Sequence, residues 1–151
     1  MTNKIWKRTL TLAAAAILAL AFSLTCFAAE NEKILASYTE DLGNGITAVV
    51  TITETESFAR ATKRQSMSKK YYTGGTYIGV AVLTASFNYD GSTSRAVEAV
   101  GNGSGANGWS YSGQSTRTSG KTAYLTASFK KSGKTVPVSL SLTCDANGNV
   151  S

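Results

Sequence analysis

Apolar and polar residues alternate over long stretches of the chain. Residues 46–53 read Ile-Thr-Ala-Val-Val-Thr-Ile-Thr, with Ile46, Ala48, Val50 and Ile52 on one face and Thr47, Val49, Thr51 and Thr53 on the other. A period of two in β-branched residues predicts a strand. Ile34, Ala36 and Tyr38 alternate ahead of it, and Gly43-Asn44-Gly45 supplies a tight turn between the two. A longer alternating run covers residues 76–89. Gly74-Gly75 just before it predicts a hairpin, because primed turns need positive φ. The stretch leading to Tyr72 is polar, and Phe58 to Ser66 is the one segment read as a short turn of helix.

A partial repeat organises the second half. Leu-Thr-Ala-Ser-Phe occurs at Leu83 to Phe87 and again at Leu125 to Phe129. Each copy puts Leu, Ala and Phe on one face, meets a glycine four residues later (Gly91, Gly133), and leads into another strand, near Ser94 to Val100 and Thr135 to Cys144. The repeated unit is therefore a hairpin, and two such hairpins can face each other across one core. Between them, Gly101 to Gly108 is rich in Gly, Ser and Asn and reads as a flexible surface loop ending at Trp109. Seven or eight short strands predict an all-β fold, a two-sheet antiparallel β-sandwich of immunoglobulin-like size. A small barrel is the structural alternative. The Cys-Trp-Cys signature of true immunoglobulin domains is missing, so the likeness is one of architecture.

The first residues follow a different pattern. Lys4, Lys7 and Arg8 are followed by an uncharged, Ala- and Leu-dominated run from Thr9 to Ala29. A charged start, an apolar helix and a small-residue exit mark a secretory signal peptide, with cleavage expected after Ala28, or else after Ala29. Residues 1–28 are then the signal and 29–151 a single domain. The competing readings are an uncleaved anchor, since the run is long enough to span a bilayer, and a lipid-modified Cys26, for which Ser23 and Thr25 match the required pattern poorly. Cleavage removes Cys26 and leaves Cys144 alone. It closes the alternating series Val136, Val138, Leu140, Leu142, Cys144, which places it in the core as a small hydrophobe; a reactive thiol is the other reading.

Charge and chemistry narrow the function. The chain carries 15 basic and 9 acidic residues and no histidine. A histidine-based triad, dyad or metal site is thereby excluded. Ser66 with Lys69 and Ser128 with Lys131 have the serine-lysine spacing of penicillin-binding enzymes, but on strands residues three apart point to opposite faces. Gly120-Lys121-Thr122 reads as a hairpin turn. Asp145, Asn147 and Asn149 alternate like calcium ligands around Gly148, a weak candidate that is also an ordinary turn. Glu40-Asp41 and Glu54/Glu56 are carboxylate pairs of the kind a glycosidase uses, though at strand ends solvated charge explains them. No cofactor is expected. The acids cluster before Ser57, whereas Arg60, Lys63, Arg64, Lys69 and Lys70 form a basic run that leads into Tyr71 and Tyr72. Such a run attracts an anionic cell-wall polymer, a polysaccharide or a lipid surface; as a solvated edge strand it needs no ligand. No motif for nucleic acid accompanies it. Trp109 and Tyr111 can stack on a sugar ring or belong to the core.

The exported start, Gly108-Trp109-Ser110, the two Leu-Thr-Ala-Ser-Phe hairpins and the ending Leu142 to Asn149 together resemble small secreted proteins of Gram-positive, clostridia-like bacteria. The resemblance implies an extracellular β-domain and transfers no functional residue. The expectation is a non-enzymatic exported protein, binding or structural at the cell surface or matrix, and free of the membrane once its signal is removed. The alternative is a secreted antagonistic, bacteriocin- or toxin-like protein.

Overall fold

The computed structural model describes residues 32–55 and 61–151. The signal segment with its cleavage site, Cys26, Glu56, Phe58 and Arg60 lie outside the described residues. Eight strands follow one another: β1 (Glu32–Gly43), β2 (Ile46–Thr55), β3 (Thr62–Thr73), β4 (Thr76–Tyr89), β5 (Ser94–Gly105), β6 (Ser110–Ser119), β7 (Thr122–Lys131) and β8 (Lys134–Thr143). All neighbours in the ladders are antiparallel. They form a five-stranded sheet, β1-β2-β3-β4-β5, and a three-stranded sheet, β6-β7-β8. The described residues contain no helix.

The alternation accounts for the core. Ala48, Val50 and Ile52 from β2, Leu83, Ala85 and Phe87 from β4, Leu125 and Phe129 from β7, and Val136, Val138, Leu140 and Leu142 from β8 are all buried in one cluster. The two repeated hairpins thus lie in different sheets and share that cluster, β4-β5 on one side and β7-β8 on the other. Cys144 joins it, fully buried. Burial first, then the charge of Asp145, pushes its thiol above the ordinary cysteine value. The Gly74-Gly75 turn has φ of 54° and 80°, as a primed hairpin turn requires.

Three expectations are corrected. Residues 62–66 belong to strand β3, not to a turn of helix; β3 pairs with β2 from Arg64 to Thr73 and with β4 from Thr62 to Thr73. It is therefore a central strand and not the edge strand that its lysines indicated. Its inward series Gln65, Met67, Lys69, Tyr71 contains two polar residues, which masks the alternation in the sequence. The glycine-rich segment is a strand as far as Gly105, paired with β4. Gly101, Gly103 and Gly105 are in register with Leu83, Ala81 and Gly79, and so face inward. In place of side chains of their own, Gly101 and Gly103 admit those of the other sheet, and Gly105 admits the backbone of Trp109 and Ser110.

Gln65 is the one buried polar side chain in this core, and neither its Oε1 nor its Nε2 has a hydrogen-bond partner among the described residues. An unpaired buried amide destabilises by about 1–3 kcal/mol. Gln65→Met keeps the volume and removes both orphan atoms. It is expected to raise the unfolding free energy by about 1 kcal/mol or more, read as a higher urea midpoint at unchanged slope. An unchanged or lower midpoint would show that Gln65 is satisfied in solution.

Candidate functional site

The basic run does not form one surface. Because side chains alternate along β3, Lys63 and Lys69 turn to the inner side and Arg64 and Lys70 to the outer. Lys63 Nζ lies 3.0 Å from Glu54 Oε1, and Lys69 Nζ lies 2.7 Å from Glu40 Oε2. The acidic start of the domain thus neutralises half of the described bases in the run. Arg64 and Lys70 are exposed. Tyr71 is buried, with its ring 5.3 Å from that of Phe129. Burial, and secondarily Glu40, pushes its hydroxyl far above the ordinary tyrosine value, while a backbone bond from Ser139 works in the opposite direction. Tyr71 therefore joins the two sheets and does not extend the basic surface. Tyr72 is half-buried beside Tyr77, ring centroids 5.6 Å apart.

Ser66 and Lys69 also diverge, as opposite faces require. Ser66 Oγ bonds Thr84 Oγ1 at 2.8 Å on the outer face, and Lys69 is held by Glu40 on the inner one. Asp145 uses its carboxylate within its own turn. Oδ1 accepts the N–H groups of Asn147 and Asn149, each at 2.8 Å, and Oδ2 accepts Asn149 Nδ2 at 2.8 Å. These bonds, the side-chain one of Asn149 foremost, hold the carboxyl below its ordinary value. Among the described residues, no three His, Cys, Asp or Glu side chains are grouped as metal ligands.

A different place gathers cations and an aromatic ring. The β3-β4 turn, the β5-β6 loop and the β7-β8 turn meet around a groove of about 300 Å³ lined by Thr73, Thr76, Trp109, Lys131, Ser132 and Lys134. The loop is firmly anchored. Ala106 N–H donates to Ile78 O (2.9 Å), Trp109 N–H to Ala106 O (3.0 Å), Asn107 Nδ2 to Tyr77 O (2.8 Å), and Lys131 Nζ to Asn107 O (2.7 Å). These bonds fix the half-buried Trp109 and lay Lys131 across Gly108, where even a Cβ would come within 3.3 Å of Nζ. Lys134 is exposed and forms no ion pair among the described residues. Tyr111, the other aromatic candidate, turns inward onto Phe129 at 5.4 Å, and its hydroxyl donates to Gln114 Oε1 at 3.0 Å.

Sequence reasoning found Trp109 but missed Lys131 and Lys134. The signal was present: no acid occurs between Glu98 and Asp145, whereas Arg117, Lys121, Lys130, Lys131 and Lys134 do. It was overlooked because these bases are dispersed among strands and not consecutive. Comparison with protein families, curated proteins and solved structures gives no match. The site is accordingly read from its own chemistry.

Proposed function

We propose that the chain is an exported, non-catalytic β-sandwich of immunoglobulin-like size, in keeping with its resemblance to small Gram-positive secreted proteins, and that it binds an anionic glycopolymer of the bacterial cell surface. The observation that carries this reading is the groove in which Trp109 lies beside Lys131 and Lys134, with the hydroxyls of Thr73, Thr76 and Ser132 around them. An aromatic face suits a sugar ring, hydroxyls suit its hydroxyl groups, and lysines attract its acidic substituents. A lipid headgroup offers the charge but gives the indole no ring to stack on. The three-stranded sheet adds to the field, since Arg117, Lys121 and Lys130 lie in a segment without acids.

Co-sedimentation with purified Gram-positive walls, before and after extraction of their teichoic acid, tests the proposal. Binding is expected to the intact walls, to weaken as salt rises, and to fall about tenfold in Lys131→Gln/Lys134→Gln, roughly 1.4 kcal/mol. Equal binding to extracted walls, or to anionic lipid vesicles alone, would refute the glycopolymer reading. A loss seen only in Arg64→Gln/Lys70→Gln would move the site to the outer face of the five-stranded sheet.

A further inference from the structure

Asparagine is followed by glycine at four places: Asn44-Gly45, Asn102-Gly103, Asn107-Gly108 and Asn147-Gly148. In such a pair the backbone nitrogen of the glycine can attack the side-chain amide carbon, because no Cβ obstructs its approach. The rate then depends on how near the fold holds the nitrogen to that carbon. Three of the pairs are held apart. Asn44 and Asn107 sit in turns with φ of 54° and 52°. In that left-handed backbone the next nitrogen points away from the side chain. Asn107 is restrained further, since its Nδ2 donates to Tyr77 O at 2.8 Å. In the fourth pair, Gly148 is buried and its N–H donates to Asp145 O at 3.1 Å, so that nitrogen is already engaged.

Asn102 is placed differently. It lies within β5, where the backbone is extended, and it is exposed to water. Gly103 N–H donates to Asn102 Oδ1 at 2.8 Å, so the nitrogen is turned toward the amide it would attack. With a carbonyl bond of ~1.23 Å, that nitrogen stands no more than about 4 Å from Cγ. Reacting atoms held this close need only a small further displacement.

We propose that Asn102-Gly103 is a self-modification site, at which the chain converts its own asparagine to isoaspartate. Water takes the Gly103 amide proton, and the nitrogen forms a bond to Asn102 Cγ. The bond from Cγ to Nδ2 breaks, and Nδ2 leaves with a proton as ammonia. A second water opens the five-membered imide. Attack at Cγ gives aspartate, and attack at the Asn102 carbonyl carbon gives isoaspartate. No oxidant, reductant or cofactor takes part. Isoaspartate lengthens the main chain by one atom just before Gly103, and the strand has no room for the shift. A Cβ at Gly103 would already lie 2.5 Å from Tyr111 Cζ, and one at Gly105 would strike the Trp109 carbonyl. The modification therefore loosens the seam between β5 and β6. With it goes the bond from Ala106 N–H to Ile78 O that anchors the Trp109 loop, whatever the groove binds.

Ageing of the purified protein in warm, mildly alkaline buffer tests this, once folded and once unfolded in urea. Tryptic peptides are followed by mass spectrometry, with fragmentation to separate Asn102 from Asn107. In the folded protein Asn102 is expected to convert about tenfold faster than the other three asparagines, with isoaspartate exceeding aspartate. In urea the four should convert at similar rates. A folded-state rate at Asn102 no greater than at the others would overturn the inference. So would the same lead in urea, since local sequence and not geometry would then be its cause. Amide exchange at Ala106 is expected to quicken in the aged protein and to stay slow in aged Asn102→Gln, whose longer side chain cannot close the five-membered ring. Conversion without quicker exchange would overturn the consequence for the seam. If the glutamine variant fails to fold, the comparison of folded and unfolded parent protein decides alone.

Discussion

Replacing Phe129 by alanine is expected to remove about 3–5 kcal/mol of stability, a large part of the roughly 5–15 kcal/mol that a domain of this size possesses. Phe129 is fully buried and its ring meets Tyr71 of the five-stranded sheet at 5.3 Å and Tyr111 of the three-stranded sheet at 5.4 Å. Both contacts are tilted, by 56° and 54°, the geometry in which the positive edge of one ring meets the negative face of another. The ring also fills the space that Gly79 leaves on β4, where a Cβ would fall within 2.9 Å of its Cζ. No neighbour can collapse into the hole, because the strands on either side are fixed by their ladders. The truncation therefore loses both the transfer energy and the cavity term. The measurement is urea unfolding followed by tyrosine fluorescence, with an expected fall in midpoint of about 2 M at unchanged slope. Phe129→Leu, which retains most of the volume, should lose about half as much. A loss below about 1 kcal/mol in the alanine variant would mean that the two sheets do not meet through this ring.

The contrast between β4 and β3 shows what the chain makes legible. β4 was readable from Thr76 to Tyr89 because its inward positions Ala81, Leu83, Ala85 and Phe87 make the period of two visible as hydrophobicity, with Ile78 buried at the bulge that precedes them. β3 is likewise a central strand with a ladder on each side, yet its inward positions include Gln65 and Lys69. The amide is buried without partners among the described residues, and the lysine is accommodated by Glu40, a residue 29 positions earlier in the chain. A partner at that distance has no trace in a local pattern. The candidate site follows the same logic. The presence of bases in residues 60–70 was plain, but their neutralisation by Glu54 and Glu40 depends on strand register. Trp109, the Lys131/Lys134 pair, and Thr73 with Thr76 come from three separated segments that only the turns bring together. Composition reports how much charge there is, whereas topology decides which charge remains free.

The glycines of β5 give the sharpest division between the two readings. If Gly101 to Gly108 were a flexible surface loop, alanine at any of these positions would restrict the unfolded chain and leave the native state unharmed, a gain of about 0.4–1 kcal/mol. The structure leads to the opposite sign. A Cβ at Gly103 would sit 2.5 Å from Cζ of Tyr111, in a ring held between Phe129 and Gln114. At Gly105 it would strike the carbonyl oxygen of Trp109, with the Ser110 Cα 3.0 Å away. The two obstacles differ in how far they can yield. Tyr111 is half-buried, so its ring can swing outward at the expense of the Phe129 contact, and Gly103→Ala is expected to lose about 1 kcal/mol. The Trp109 carbonyl is backbone, fixed by the bond from Trp109 N–H to Ala106 O and by the start of β6. Relief there requires the seam between β5 and β6 to open, so Gly105→Ala is expected to lose about 3 kcal/mol. The order matters as much as the sizes. Overpacking against backbone should exceed overpacking against a side chain, and both should be accompanied by faster exchange at Ala96 N–H, whose partner Gly120 O lies across the same seam. Alanine variants that melt at or above the temperature of the parent protein would return this segment to a loop. They would also remove the close approach by which a strand without side chains lets the smaller sheet lie against the larger one.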